Sequence, residues 1–253
     1  MLTIAGSDSG GCAGVQADGR AIRDLGGHAL TAITAITAQN SAGVAAWSPV
    51  AVELVVAQIR TALDGFPVVA AKTGLLPGTA LIEAVVAALP RGLPLVVDPV
   101  MGSTSGTRFW SDADLDVVRA VLVPRATLLT PNLPEAAALS GLPVGTVDEI
   151  ERAGRRLLEL GAGAVLIKGG HGDGHESVDW LLTSAGEGVQ FVNDRLPTAN
   201  TRGTGCVLSA AAAFYLGRGE PVVAAVKRAG AFLQAALRRG AGETWRGAGP
   251  ALR

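Results

Sequence analysis

The chain has few of the residues and segments that mark specialised protein classes. Its two cysteines, Cys12 and Cys206, are too few for a disulfide framework in 253 residues. Its 21 basic and 22 acidic residues give a net charge of -1, so we expect neither nucleic acid nor an anionic membrane as a partner. No apolar run approaches the roughly 18 residues of a membrane helix, and the N-terminus lacks the basic region of a signal peptide. These absences favour a cytoplasmic globular protein.

Several nucleotide-binding and metal-binding motifs are also missing. There is no G-x-x-x-x-G-K-[ST] loop, no G-x-G-x-x-G after the first apolar run and no protein-kinase signature set. None of the three histidines has H-E-x-x-H spacing. His171 and His175 are close enough to share a metal, but a glycine-rich polar loop explains them better. P-loop, Rossmann and zincin functions are therefore excluded.

The chain is rich in glycine and apolar residues, and these alternate in a regular way. Its 34 glycines lie mostly at the ends of apolar runs, where a backbone turns or approaches a ligand. About six strand-then-helix units follow one another, which predicts one α/β domain over residues 1–253 with a mostly parallel sheet covered on both faces. Residues 178–182 and 189–192 predict a late antiparallel hairpin. We expect a helix over 48–63, starting at Ser48-Pro49, and a frayed tail over 240–253.

Polar or glycine-rich clusters follow six of the predicted strands. The clusters are 6–11, 39–40, 72–74, 98–102, 130–135 and 168–171. In open α/β sheets, ligands bind beyond the carboxyl ends of the strands, so these clusters predict a site along one rim. Any single cluster could equally be an ordinary polar loop; six together favour a functional site.

The stretch 201–206, Thr-Arg-Gly-Thr-Gly-Cys, leads directly into an alanine-rich helix. Small residues at a helix N-terminus leave backbone N–H groups free to bind an anion. Cys206 would lie in the first turn, where the helix is expected to lower the pKa of the thiol. The alternative is a buried structural cysteine beside a tight loop. Cys12 is more simply explained as a small residue in a glycine-rich turn.

These segments together resemble one family. Residues 5–18, 37–40, 98–101, 130–136, 168–171 and 203–206 are similar, in order, to the motifs of hydroxymethylpyrimidine/phosphomethylpyrimidine kinases. The resemblance implies a ribokinase-like three-layer αβα sandwich and a role in thiamine biosynthesis. It also implies ATP-dependent phosphorylation of 4-amino-5-hydroxymethyl-2-methylpyrimidine and then of its monophosphate, with Mg²⁺ as cofactor and a homodimer as the assembly.

The resemblance also implies roles for individual residues. Cys206 would act as the general base, and Gly203, Thr204 and Gly205 would form the anion hole for the transferred phosphoryl group. Gln39, Gly6, Val100 and Asp18 would bind the pyrimidine. Lys168, Asn132 and Thr204 would contact ATP, and Asp98 and Glu135 would hold magnesium, partly through water.

Two positions depart from the family pattern, and alternative functions stay open. Arg202 stands where histidine is common, and the loop 101–106 lacks the lysine often found there. Arg108 could replace that lysine, but a solvated loop arginine explains it better. The nearest alternative is a pyridoxal kinase or a dual kinase, although that family usually has aspartate at the position of Cys206. A non-catalytic pyrimidine-binding sensor is a distant alternative. Such a sensor would keep Gln39 but lose Lys168, Glu135 or the anion hole, and all of these are present in this chain.

Overall fold

A nine-stranded sheet forms the centre of the computed structural model, which describes residues 1–102, 106, 108–170, 175–186, 188–245 and 247–252. Its strands lie in the order β3-β2-β1-β4-β5-β6-β7-β8-β9. The strands are β1 (Leu2–Asp8), β2 (Leu30–Asn40), β3 (Gly43–Pro49), β4 (Ala71–Thr73), β5 (Leu95–Val97), β6 (Leu128–Leu129), β7 (Ala164–Ile167), β8 (Glu176–Thr183) and β9 (Gly188–Asp194).

The middle of the sheet is parallel and both edges are antiparallel. Strands β2, β1, β4, β5, β6 and β7 run in one direction, whereas β3, β8 and β9 join through antiparallel pairs. The mostly parallel sheet and the late hairpin are therefore confirmed.

The expected helix start at Ser48-Pro49 is wrong. Residues Gly43–Pro49 form the edge strand β3, and the helix begins only at Val52. Proline is tolerated on an edge strand because no neighbour requires its missing N–H. The Ser-Pro pair therefore ends a strand here, although the same pair is also typical of a helix start.

Helices cover both faces of the sheet in two layers. The helices are α1 (Gly14–Asp24), α2 (Val52–Gly65), α3 (Thr79–Ala88), α4 (Asp112–Val117), α5 (Leu133–Ser140), α6 (Val147–Glu159), α7 (Thr204–Gly217) and α8 (Val222–Gly240). A π-turn and a 3-10 turn extend α4 as far as Arg125. Among the described residues, no helix is both long and apolar enough to cross a membrane.

Alternate residues of the central strands feed two separate cores. Leu95 and Val97 pack with helices α2 to α6, whereas Val96 between them packs with α1, α7 and α8. Successive side chains of a strand point to opposite faces, so a parallel strand buried on both sides reads as a continuous apolar run. This gives the three layers of the predicted αβα sandwich.

The C-terminal segment is docked onto the fold, in contrast to the expected fraying. The backbone of Arg202 exchanges hydrogen bonds with Gly249 and Ala251, at 3.1 and 2.9 Å. The side chain of Asn200 donates to two carbonyls near the end of α8 and accepts from the N–H of Gly249. Ala251 and Leu252 are buried. Sequence patterning misses such a segment because its backbone partners lie about 50 residues away.

Candidate active site

A cavity of about 510 Å³ opens at the carboxyl ends of the parallel strands. Each of the six polar clusters predicted from the sequence contributes lining residues, so the prediction of one shared rim is confirmed. Representative lining residues are Gly6, Gln39, Lys72, Asp98, Glu135 and Lys168. His171 lies outside the described residues. The first turns of α1 and α7 complete the wall.

The loop between β1 and α1 is shaped by one buried carboxylate. Asp8 accepts hydrogen bonds from the backbone N–H groups of Gly10, Cys12 and Ala13, at 2.8 to 2.9 Å. Helix α1 then starts directly behind β1: a Cβ on Gly14, where φ is +58°, would lie 2.2 Å from the carbonyl oxygen of Gly6. Glycine is required at this point, and the close approach brings the N-terminus of α1 to the cavity.

The start of α7 is tightly packed between two other parts of the site. Gly203 has a φ of +77°, and a Cβ there would lie 2.0 Å from the carbonyl oxygen of Cys12. A Cβ on Gly205 would lie 3.2 Å from Nζ of Lys168. No side chain caps α7, and the N–H of Thr204 makes only a long turn hydrogen bond to the carbonyl of Thr201, at 3.4 Å, so the first turn can donate to a ligand. Thr204 lines the cavity beside them.

Cys206 lies in the first turn of α7, half-buried at the cavity wall, with the backbone N–H of Gly14 hydrogen-bonded to its thiol. The expected lowering of its pKa is wrong. Burial raises the pKa of the thiol to about 11, and the carboxylates of Asp18 and Asp98 add to that effect. The charge of Lys72 and the Gly14 N–H act in the opposite direction and are outweighed.

Asp18 does not reach the cavity, which corrects its predicted contact with substrate. Its side chain is fully buried and its two carboxylate oxygens lie 3.0 and 2.9 Å from Nζ of Lys72, which is also fully buried. Thr3 donates to the same carboxylate. Burial alone would lower the pKa of Lys72, but the Asp18 carboxylate outweighs it and the pKa is raised, so the lysine stays charged. Asp18 therefore holds Lys72, which lines the cavity and belongs to the predicted cluster 72–74.

Lys168 and Asp98 form the second ion pair of the site. Nζ of Lys168 lies 2.8 Å from Oδ1 of Asp98. Burial opposes both charges, but the attraction prevails, so the pKa of Asp98 is lowered and that of Lys168 is raised. Thr130 and Ser209 also donate to the Asp98 carboxylate. Lys168 is 15% exposed in its side chain, so it remains accessible from the cavity.

Glu135 and Asn132 form the capping box that starts α5. The backbone N–H of Asn132 donates to Oε2 of Glu135, and the side-chain oxygen of Asn132 accepts from the N–H of Glu135, both at 2.8 Å. Burial raises the pKa of Glu135 to about 7, with Lys168 opposing and Asp98 reinforcing the shift. The Asn132 oxygen is thus occupied, which leaves its NH₂ group to contact a ligand.

Two carboxylates, Asp98 and Glu135, are the candidate magnesium donors at this end of the cavity. No group of three or more histidine, cysteine, aspartate or glutamate side chains that could hold a metal occurs among the described residues. Asp98 and Glu135 both interact with the same lysine, Lys168. Mg²⁺ keeps several waters and takes few protein carboxylates when substrate phosphates supply the other ligands, so two carboxylates fit a magnesium–nucleotide complex.

Gln39 lies at the end of β2, on the opposite side of the cavity from Lys168. Its backbone is held by Ser9, whose hydroxyl both accepts from the N–H of Gln39 and donates to its carbonyl at 2.8 Å. Gly6 and Val100 line the cavity nearby, as predicted, and Phe109 adds an aromatic wall that the sequence did not suggest. Arg108 instead donates to Trp110 and Asp112, outside the cavity lining.

The sequence also missed the face of α8 toward the cavity. Gly230, Leu233, Gln234 and Leu237 line it. Their spacing of three and four residues marks one helix face, but the same spacing is typical of any packed helix, so it carried no functional signal.

Comparison with known proteins places the chain in a family. Residues 8–251 match the phosphomethylpyrimidine kinase family. Hydroxymethylpyrimidine/phosphomethylpyrimidine kinase of Streptomyces coelicolor is 42% identical over 95% of this chain and 89% of that protein. The thiamine biosynthesis bifunctional protein ThiED of Geobacter sulfurreducens is 40% identical over 94% of this chain, which spans about half, 49%, of that longer protein.

Solved structures agree with this placement. A phosphomethylpyrimidine kinase from Clostridium difficile superposes with a TM-score of 0.80 at 36% identity, covering 93% of this chain and 97% of that one. An ADP complex of Bacillus subtilis pyridoxal kinase superposes with a TM-score of 0.89 at 34% identity, covering 99% and 96%. The expected ribokinase-like fold is confirmed, and the chain belongs to the phosphomethylpyrimidine kinase family.

Proposed function

We propose that this chain is a kinase that uses ATP to phosphorylate 4-amino-5-hydroxymethyl-2-methylpyrimidine and then its monophosphate. The observation that carries the proposal is the start of α7. It brings an uncapped helix N-terminus and Cys206 into one cavity with the Lys168–Asp98 pair and Gln39. Phosphoryl transfer depends mainly on positioning and on charge stabilisation, and this arrangement supplies both.

The acceptor side of the reaction rests on Gln39 and Cys206. The side-chain amide of Gln39 both donates and accepts, so it can pair with the aminopyrimidine edge, while Gly6 and Val100 flank the ring. The substrate oxygen attacks the γ-phosphorus of ATP, the bond to the β-phosphate oxygen breaks, and the proton of a hydroxyl acceptor passes to Sγ of Cys206. Only the thiolate accepts that proton, so the step uses the ionised fraction of Cys206, which is small at neutral pH because burial raises the pKa to about 11.

The donor side rests on Lys168, Asn132 and the first turn of α7. Lys168 contacts the ATP phosphates as a point charge, and the backbone N–H groups of Gly203, Thr204 and Gly205 surround the transferred phosphoryl group. Asp98 and Glu135 would hold Mg²⁺, and the bound ion would neutralise part of the negative charge of the phosphates.

Pyridoxal phosphorylation is the second candidate function. It is favoured by the close superposition on the Bacillus subtilis pyridoxal kinase. Pyridoxal kinases usually have aspartate at the position of Cys206, so the cysteine favours the pyrimidine as the substrate of this chain. We therefore expect pyridoxal to be the poorer substrate.

The test compares ATP consumption with hydroxymethylpyrimidine, its monophosphate and pyridoxal side by side. Gln39→Leu should weaken pyrimidine binding by about 1–3 kcal/mol, because it leaves a polar edge of the ligand unpaired, and should leave ATP binding unchanged. Glu53→Leu is the control, because it replaces an exposed side chain of similar size on α2. It should change neither pyrimidine binding nor ATP binding. Absence of turnover with both pyrimidines, or equal losses of pyrimidine and ATP binding in Gln39→Leu, would contradict the assignment.

Three further properties stay predictions from the sequence. One domain over residues 1–253 is supported by the continuous sheet and the family match over 8–251. A homodimer is supported by exposed apolar side chains near one sheet edge, Ile36 on β2 and Leu54 on α2, at 52% and 57% exposure. Light scattering of the purified protein tests the dimer, and fractionation of the source cells tests the cytoplasmic location.

A further inference from the structure

Arg202 is a cavity-lining cation to which the proposed mechanism gives no role. Its side chain is 8% exposed, and its buried Nε has no hydrogen-bond partner in the described part of the chain. A guanidinium stays charged at every physiological pH, so burying one without an acceptor is costly. The unpaired N–H therefore points to an acceptor that comes from a ligand.

The other cations that line the cavity are already engaged. Lys72 is paired with Asp18, and Lys168 with Asp98. Arg195 donates to the backbone oxygens of Gly170 and Glu176. Lys168 is already assigned to the ATP phosphates, whereas the buried Nε of Arg202 lacks an acceptor among the described residues.

Contacts through the first loop place Arg202 on the pyrimidine side of the cavity. The next residue, Gly203, packs against the carbonyl of Cys12. Arg202 is also close enough to Cys12 for its charge to lower the pKa of the thiol, against the larger effect of burial, which raises it. The same loop holds the backbone of Gln39 through Ser9. Lys168 is approached instead by Gly205, farther along α7.

The position of Arg202 is set by backbone contacts and does not depend on its side chain. Its N–H donates to the carbonyl of Gly249, and its carbonyl accepts from the N–H of Ala251. A substitution of the side chain therefore leaves the docked C-terminal segment in place. It also leaves the N-terminus of α7 uncapped, as it is in the present chain.

We propose that Arg202 binds the phosphate of the phosphomethylpyrimidine substrate and so determines how well this chain carries out the second phosphorylation. This inference rests on the proposed function. A phosphomonoester carries about -1.5 to -2 charges at pH 7 and must approach a γ-phosphate of the same sign. The guanidinium fork matches phosphate oxygens and removes part of that repulsion, whereas an uncharged hydroxymethyl group needs no such partner.

The test is calorimetric binding of hydroxymethylpyrimidine, its monophosphate and ATP to wild type and Arg202→Gln, with turnover on both pyrimidines. We expect the Kd of the monophosphate to rise about 10- to 100-fold in Arg202→Gln, since a charged hydrogen bond is lost. The Kd values of hydroxymethylpyrimidine and of ATP should change less than about threefold. Arg228→Gln, which removes an exposed guanidinium paired with Glu220, is the matched control and should change none of them.

A second variant keeps the inference testable if Arg202→Gln fails to fold. Arg202→His is neutral at pH 8 and charged at pH 6. Relative to wild type at each pH, its monophosphate affinity should be poor at pH 8 and largely restored at pH 6.

Equal weakening of all three ligands, loss of ATP binding alone, or an unchanged monophosphate Kd would overturn the role of Arg202. A wild-type protein that phosphorylates neither pyrimidine would instead overturn the proposed function. The two failures are therefore distinguishable.

Discussion

Neutralising Asp18 should destabilise the protein strongly. In Asp18→Asn the ammonium of Lys72 stays in a fully buried position, 2.9–3.0 Å from a group that no longer carries a charge. Breaking a buried ion pair by removing one partner costs about 3–5 kcal/mol. Against a total stability of about 5–15 kcal/mol, that is between a fifth and all of it.

Urea unfolding followed by tryptophan fluorescence measures this cost. With a slope of about 3 kcal/mol per molar urea, the midpoint should fall by about 1–1.7 M. Asp116→Asn is the matched control, because it makes the same change in an exposed ion pair with Arg119 and should cost less than about 0.5 kcal/mol. The double variant Asp18→Asn/Lys72→Met should recover at least half of the loss, since it leaves no unpaired charge.

Two results would refute this reasoning. If Asp18→Asn keeps wild-type stability and selectively weakens pyrimidine binding, then Asp18 contacts the substrate, as the resemblance first implied. If the double variant loses the sum of the two single losses, then Lys72 and Asp18 do not act as a pair.

Three further predictions concern the catalytic rim. Cys206→Ser should lower turnover by about 10²- to 10⁴-fold with ATP affinity intact. Because the pKa of the thiol is raised to about 11, wild-type turnover should rise with pH from 7 upward, and this rise should vanish in the serine variant. If Cys206→Ser turns over at close to the wild-type rate, Cys206 is only a packing residue. Gly203→Ala should reduce turnover at least tenfold, since its Cβ would lie 2.0 Å from the carbonyl oxygen of Cys12. Gly219→Ala is the control, because Gly219 also has a positive φ, +81°, but no atom lies within 4 Å of its added Cβ. It should lower the free energy of unfolding by about 1 kcal/mol and leave turnover unchanged. Glu135→Gln should raise the magnesium concentration needed for half-maximal rate, and an unchanged magnesium titration would remove Glu135 from the metal site.

Local sequence patterns were sufficient for the elements whose signals lie within a few residues. The late hairpin of β8 and β9 appears where the chain predicts it. The helix start at residues 203–206 was also predicted, because glycine and other small residues there mark an uncapped helix N-terminus. The motif resemblance then identified the family that the comparisons confirm.

Other features depend on partners that are distant along the chain. The pairing of Asp18 with Lys72 joins residues 54 positions apart, and the docking of the tail joins Arg202 to Ala251. The edge strand β3 depends on pairing with β2, so its Ser-Pro end was misread as a helix start.

The sequence by itself therefore determined the alternation of strands and helices, the polar strand ends that form the rim and the glycine-rich start of α7, because each is encoded in a short stretch of chain. Only the tertiary structure decided which side chains at that rim are charged, paired or exposed. The pKa of Cys206 rises because burial and two carboxylates outweigh one lysine and the backbone N–H of Gly14. Burial and electrostatic interactions of this kind sum over groups from many elements, and no local pattern contains that sum.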